Sequence, residues 1–556
     1  MERPSIIALV DGKEETIIRK STEYHPSVWG DYFIHYDSSL DLQKVDYSTQ
    51  RVEELKERVR NLFEETSDDV SQTMNLVDSI QLLGLDYHFE KEIAAALRSI
   101  YEADAANFGL YEVSLRFRLL RQHGYYLSAD VFNGFKDDEG RFSSTTLNIG
   151  DAKGLLNLYN AAYLGTHGET ILDEAIAFTK RQLESLLGEL EQPLASEVSL
   201  FLETPLCRRI RRLSVRKYIP IYQENPTRND NLLELAKLDF NSLQSLHREE
   251  VKKISTWWKD LALTESLKFA RDRVVECYYW IVAVYFEPQY SRARVITTKA
   301  ISLMSIMDDI YDNYSTLEES RLLTEAIERW EPQAVDHVPE YLKDFYLKLL
   351  KTYKDFEDEL EPENKYRIPY LLEEIKRLSR SYFQEAKWGV DGYVPLLEEH
   401  LPVSLISCGY VAVACAYYVG WGEDATKEAF EWVASFPEIL KSCSIICRLM
   451  DDITSHEREK ERDHHVASTV DSYMKEYGVS SKVALEKLQA MVERAWKDLN
   501  KECLHRPTQV ARSLIEIIVN LSRAMEDIYK DNDTYTNSNT RMKENVSLVL
   551  VQPFPI

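Results

Sequence analysis

The chain has 556 residues, more than one compact core accommodates, and this length suggests two to four domains. Its 44% hydrophobic and 29% charged residues exclude a disordered or fibrous protein. A formal net charge of −26 excludes a nucleic-acid binder, since no basic stripe survives that background field, and it makes local clusters of basic residues informative.

The N-terminal stretch MERPSIIALVDGKEET has early acids and no apolar run, so it reads as neither a secretory signal nor a transit peptide. Seven cysteines, odd in number and never spaced as CxxC, point to a reducing compartment without a zinc site; only Cys443 and Cys447 could share a helical face. No run approaches the roughly 18 apolar residues of a membrane span. The expectation is a cytoplasmic monomer with no nucleic-acid partner and no stable membrane association.

Residues 1–35 read as an extended, aromatic arm that carries Arg19, Lys20 and His25 to Phe33, HPSVWGDYF. With only 18 Gly and 17 Pro, helical periodicity then dominates: Val52 to Thr66, Asp69 to Leu83, Glu90 to Tyr101, Ala152 to Tyr163 and Glu169 to Leu190. The fold class is all-α. YQENPTRNDN, Tyr222 to Asn231, is the candidate linker, dividing a helical domain at 36–230 from a C-terminal domain at 231–556. The first domain lacks Asp-x-Asp-Asp, the arrangement that protonates an alkene, because neither Asp68-Asp69 nor Asp137-Asp138 has an Asp two residues earlier. It reads as a buttress.

Chemistry is concentrated in the second domain. ISLMSIMDDIYD, Ile301 to Asp312, is apolar on every side and ends in three aspartates, a buried helix whose acidic end needs a cation or basic partner. Asp308 and Asp312 share one face and Asp309 sits beside them, an oxygen set suited to Mg²⁺; a solvated acidic helix end is the competing reading. ICRLMDDITSHEREKERD, Ile446 to Asp463, repeats the design, with Asp451, Ser455 and Glu459 at i, i+4 and i+8. Two facing clusters could hold several Mg²⁺ ions around a diphosphate.

Arg271 and Arg273 in FARDRVVECYYW could both reach that anion from a loop, and Arg448, Lys460 and Arg462 flank the second cluster; salt bridges to nearby acids would explain the same bases. Trp280, Tyr410, Tyr529 and Tyr535 are candidates for an aromatic cavity, although each could be ordinary core. Ser407-Cys408-Gly409 interrupts the apolar run Leu405 to Val419 and would kink it, exposing carbonyls to a cavity. KDNDTYTNSN, Lys530 to Asn539, reads as a polar lid.

Taken together, the chain resembles a plant class I terpene synthase, most closely a cytosolic sesquiterpene synthase of the cadinene, germacrene, valencene or aristolochene type. The resemblance rests on DDIYD (Asp308 to Asp312), DDITSHERE (Asp451 to Glu459), RDR (Arg271 to Arg273), YFEPQYS (Tyr285 to Ser291), FRLLRQHG (Phe117 to Gly124) and WKDL (Trp496 to Leu499). It implies an N-terminal α-barrel domain and a C-terminal catalytic helical bundle. The implied enzyme is a lyase: three Mg²⁺ ions, replaceable by Mn²⁺, bind farnesyl diphosphate, which ionises and cyclises to a cyclic sesquiterpene. The implied ligands are Asp308, Asp309, Asp312, Asp451, Ser455 and Glu459. Arg271, Arg273, Arg448 and Lys460 would lie near the diphosphate, with Ser407, Cys408, Gly409 and Tyr410 against the substrate, Trp280 in the cavity and Tyr529, Asp533 and Tyr535 in the lid region. Two features depart from the family pattern: Arg19-Lys20 precedes Trp29 where RRx₈W or RPx₈W is usual, and Thr534 replaces a common Gly. Geranyl diphosphate as substrate and prenyl chain elongation are the alternatives.

Overall fold

The computed structural model describes residues 5–10, 13–18, 24–36, 39–143, 147, 150–460, 466–505 and 510–556, with the backbone alone at 5–18, 39–49 and 458–460. Helices dominate. The described exception is the start of the arm, where strand β1 (Ser5–Val10) pairs antiparallel with β2 (Lys13–Ile18), in the register Ser5 to Ile18 and Val10 to Lys13. SIIALV and KEETII are rich in β-branched residues, which suit an extended backbone. The expected basic pair Arg19-Lys20 lies outside the described residues.

The N-terminal domain stacks helices including Ser39–Thr66, Val70–Leu82, Glu90–Glu102, Leu110–Gln122 and Ala152–Ala162 around its own core, in which Leu55, Val77, Phe117, Leu155 and Phe240 are buried. Asp69 ends the preceding turn and starts the next helix because its carboxylate accepts the Gln72 amide at 3.0 Å. The expected linker is a tight turn between helix Arg211–Glu224 and helix α1 (Asp230–Leu261). The hydrophobic boundary falls later than the sequence suggests: Leu232 to Phe240 of α1 join the first core, and Leu243 to Leu261 join the second. One unbroken helix therefore ties the domains, and Phe554 near the C-terminus returns to pack on the first core.

Polar contacts join them as well. Arg208 holds Glu493 through two hydrogen bonds of 2.8 and 2.6 Å, and Arg211 bridges Asp86 (2.5 Å) and Glu287 (3.3 Å). A cavity of about 730 Å³, lined by Asp86, Arg211, Glu287, Arg512 and Glu516, lies between the domains.

The second domain is built from α2 (Val274–Val284), α3 (Ser291–Asn313), α4 (Arg367–Asp391), α5 (Leu397–Ser407), α6 (Tyr410–Gly420), α7 (Glu438–Lys460) and α8 (Arg512–Ile528), with shorter helices outside them. Every apolar residue of α3 between Ile301 and Ile310 is buried, as its all-round hydrophobicity requires. One polar knot is built into this core: Arg294 of α3, fully buried, binds Glu250 of α1 at 2.8 and 2.7 Å, and the Tyr278 hydroxyl of α2 donates to the same carboxylate at 2.7 Å. Charges this deep are tolerated only when paired. The stretch Leu397–Gly420 is long and apolar enough to cross a membrane by composition, contrary to the sequence expectation; 83% of its most apolar window is buried, and Gly409, at φ +80°, separates α5 from α6.

Helix α3 is seated by close approach. A Cβ on Gly420 of α6 would lie 2.4 Å from the Ala293 Cα, so only glycine lets the two backbones meet. Gly420→Ala is expected to cost about 1–3 kcal/mol, read as a lowered urea midpoint at unchanged slope.

Candidate functional site

The end of α3 sorts its aspartates by direction. Asp309 is fully buried and accepts the Arg271 backbone N–H at 2.7 Å, the Arg271 Nε at 3.2 Å and the Asn313 amide at 3.1 Å. Asp308 and Asp312, one turn apart, stay partly exposed, with Arg271 reaching Asp308 at 2.5 Å. Asp309, expected among the metal ligands, is held from within by Arg271 and Asn313, so it anchors the arginine beside the cluster. Burial works against the charge on Arg271, but Asp309 and Asp308 outweigh it and keep the guanidinium protonated.

The second cluster follows the same rule. Asp452 is buried between Arg448 (3.0 Å) and the Thr469 amide (2.7 Å), while Asp451 stays half-buried. Ser455 is buried and donates to the Asp451 carbonyl at 2.8 Å, which leaves its oxygen lone pairs to accept a cation. Glu459 and Lys460 continue the backbone of α7, but their side chains, like Arg462, lie outside the described residues.

The two clusters open on one mouth, and Glu385 of α4 links them. Burial pushes its carboxyl up to about 8; Asp312 and Asp308 add to the shift, whereas Arg448 and a 2.6 Å hydrogen bond from Ser407 oppose it. Tyr382, one turn earlier, is raised by burial and by the same two aspartates. Sequence reasoning missed both residues because a lone Glu on a charged helix has no distinguishing spacing. Arg448 stays charged against its burial through Asp452, Asp451 and Glu385.

The donors facing this mouth are all oxygen. Among the described residues each cluster offers carboxylate and hydroxyl oxygens, Asp308 and Asp312 on one helix and Asp451 and Ser455 on the other. This suits Mg²⁺, which prefers oxygen and keeps positions for water and phosphate; it does not suit zinc.

Arg271 and Arg273 separate. Residues 271–273 are non-helical, and Arg273, 1% exposed, turns away from the mouth. It donates to the carbonyls of His25 (3.0 Å), Tyr535 (3.2 Å) and Thr536 (3.1 Å) and pairs with His25 Nε2 at 3.0 Å. The expectation that it faces the anion is corrected: it staples the arm to the C-terminal loop. The arm also seats Tyr24, whose hydroxyl accepts from Asn313 at 2.8 Å and whose ring lies 5.4 Å from the Arg271 guanidinium; Trp29 and Phe33 anchor it on the second core.

Below the mouth the Trp280 ring meets Tyr410 and Tyr535 edge-on, at 6.2 and 5.7 Å between centroids. The Tyr410 hydroxyl donates to Leu521 O at 3.0 Å and that of Tyr535 to Ser305 Oγ at 2.7 Å. Tyr529, 9% exposed, ends α8, its pKa raised by burial and then by Asp451 and Asp533. In the C-terminal loop Asp533, Thr534, Tyr535 and Thr536 are all buried, so the expected lid is packed down. Thr534 needs no glycine-like backbone; its N–H and hydroxyl both cap Ile528 O, at 3.0 and 2.9 Å. Ser407 and Cys408 end α5 and Gly409 supplies the break, as the kink expectation requires.

Residues 259–498 match the family model described as terpene synthase family, metal binding domain, and residues 28–202 match the terpene synthase N-terminal domain. An alpha-humulene synthase of Zingiber zerumbet is 82% identical over 556 residues, 100% of both chains, and a beta-eudesmol synthase of the same plant is 63% identical over 99% of each. The solved isoprene synthase of grey poplar leaves, in complex with three Mg²⁺ ions and dimethylallyl-S-thiolodiphosphate, superposes with a TM-score of 0.86 at 33% identity, over 92% of this chain and 98% of that one.

The sorting of the aspartates predicts different metal phenotypes. With inorganic diphosphate present, Asp308→Ala should weaken Mn²⁺ binding by on the order of tenfold, ~1.4 kcal/mol, in a titration followed by the paramagnetic signal of free Mn²⁺. Asp309→Asn should leave that binding nearly unchanged; an equal loss in both would show Asp309 to be a ligand.

Proposed function

This chain belongs to the terpene synthase family, and we propose that within it the protein is a cytosolic, monomeric sesquiterpene synthase that converts farnesyl diphosphate to a cyclic sesquiterpene and diphosphate. The observation that carries the reading is the pair of acidic helix ends, Asp308 and Asp312 with Arg271 beside them and Asp451 and Ser455 with Arg448 beside them, next to the cluster of aromatic rings formed by Trp280, Tyr410 and Tyr535. Relatives that make humulene and eudesmol support a cyclic product with farnesyl diphosphate as the source. Seven free cysteines support a reducing compartment.

Three Mg²⁺ ions, held by Asp308 and Asp312 on one side and Asp451, Ser455 and Glu459 on the other, would supply the positive charge that makes diphosphate a leaving group. Arg271 and Arg448 bind and orient the anion through charge-assisted hydrogen bonds. Asp309 and Asp452 hold those arginines in place. Trp280, Tyr410 and Tyr535 surround the hydrocarbon chain, and their π faces stabilise positive charge. The hydroxyls of Tyr410 and Tyr535 are engaged with Leu521 and Ser305, which limits their capture of a cation. The arm and C-terminal loop, held by Arg273, exclude water. Final proton loss falls to the departing diphosphate or to Tyr529 beside Asp533. Chain elongation would want a second DDxxD where this sequence has Ser455.

Incubation with farnesyl diphosphate and Mg²⁺, followed by gas chromatography and mass spectrometry, should yield a cyclic fifteen-carbon product that disappears with a chelator; no such product would sink the assignment. Asp308→Ala should lower turnover about a hundredfold or more while the helical circular dichroism is kept. Arg273→Ala should shift products toward acyclic alcohols, because a loosened arm and loop admit water to the cation; an unchanged product profile would remove its sealing role.

A further inference from the structure

The cavity between the two domains takes no part in the chemistry of the acidic mouth. Its volume of about 730 Å³ falls within the roughly 300–1,000 Å³ of small-molecule pockets. Glu90 and Gln289, both exposed, stand in its walls, so it opens to solvent. One wall is apolar: Ile93, Ala94 and Leu97 share a face of helix Glu90–Glu102, and Leu82 and Leu206 extend it. The facing wall carries Arg211, Arg512 and Arg523. Arg512 donates to the carbonyls of His123, at 2.6 Å, and Gln122; Arg523 donates through Nε to Cys207 O at 2.8 Å and through Nη1 to Asn520 Oδ1 at 2.6 Å. These partners are neutral oxygens, which fix both guanidinium groups in place without cancelling their charge, and a guanidinium has further N–H groups beyond the two engaged here. Glu516 stands among the three arginines, which outweigh its burial and keep it ionised. Asp86 and Glu287 share Arg211, at 2.5 and 3.3 Å, and burial pushes both carboxyls upward, Glu287 to about 7. The carboxylates beside this wall are therefore partly neutral, whereas the arginines keep their charge. Fixed guanidinium groups opposite an apolar face match an anion with a hydrocarbon body.

We propose that this interdomain cavity is a second ligand site, separate from the acidic mouth and independent of metal, which takes an apolar chain with a phosphate head, the chemistry of a prenyl diphosphate. The head lies against Arg512 and Arg523, and the chain lies along Ile93, Ala94 and Leu97. The site itself stands on the cavity; that a prenyl diphosphate is the molecule at hand to fill it rests on the proposed function. Two helices of the reaction site form part of the cavity wall. Helix α8 presents Arg512, Glu516 and Arg523 to the cavity, while its carbonyls at Leu514 and Leu521 accept the hydroxyls of Tyr418 and Tyr410 at 3.1 and 3.0 Å. Tyr285, another wall residue, closes α2, which bears Trp280.

The full-length protein is titrated calorimetrically in EDTA with farnesyl diphosphate, with its two halves farnesol and inorganic diphosphate, and with dodecanoate. Farnesyl diphosphate should bind at one site, about tenfold or more tighter than either half, because only the whole molecule meets both walls. Ala94→Trp, which fills the apolar side, and the double variant Arg512→Gln with Arg523→Gln, which removes the charge, should each weaken that binding by roughly tenfold or more. Asp308→Ala, at the acidic mouth, should leave it unchanged. Helical circular dichroism and cooperative melting without ligand show which variants fold, and either cavity variant suffices for the test. No binding in EDTA, equal binding of a half molecule, binding that Asp308→Ala weakens and a folded cavity variant does not, or dodecanoate bound as tightly would each overturn the proposal. If the proposed function is wrong, farnesyl diphosphate is not turned over when Mg²⁺ is supplied, while the titration in EDTA still decides the cavity.

Discussion

A carboxylate at the end of an apolar helix is costly unless something positive or a set of N–H donors meets it, and this constraint shapes both acidic helix ends in the same way. In each adjacent pair the second aspartate is the buried one, held from within: Asp309 by Arg271 and Asn313, Asp452 by Arg448 and the Thr469 amide. The first aspartate of each pair is left toward the mouth. Neighbours on a helix diverge by about 100°, so the two aspartates of a pair leave their helix toward different surroundings. The buried acids position the arginines, and the arginines are the groups an anion meets.

That arrangement holds only if α3 cannot move. Its seat is the Gly420 contact, where backbones touch without an intervening side chain, together with the Arg294–Glu250–Tyr278 knot that locks α1, α2 and α3. Close packing transmits displacement, so the acidic mouth inherits the rigidity of the apolar core beneath it. The cover is different in kind. The arm and the C-terminal loop meet through hydrogen bonds from one buried arginine to backbone carbonyls, contacts of direction rather than bulk, which can be released without disturbing the core.

Much was legible in the amino-acid sequence. Scarce glycine and proline with a 3.6-residue period gave the all-helical domains, and the spacing of Asp308 with Asp312 and of Asp451 with Ser455 identified the faces that could hold an oxygen-loving cation. The motifs were sufficient to suggest the family, whose two models match residues 28–202 and 259–498. These features survive in one dimension because helical periodicity is local: it depends only on how far apart residues are along the chain.

The tertiary structure decided what each of those faces meets. It separated Arg271 from Arg273, two residues apart, sending one to the aspartates and the other to the arm. It brought Glu385 and Tyr382 to the mouth from a helix without a motif and moved the hydrophobic boundary into the middle of α1. Sequence spacing fixes the angle at which a side chain leaves its helix, but the partner at the end of that angle comes from a distant segment. Which carboxylate is buried and which stays partly exposed therefore depends on packing that no local pattern encodes.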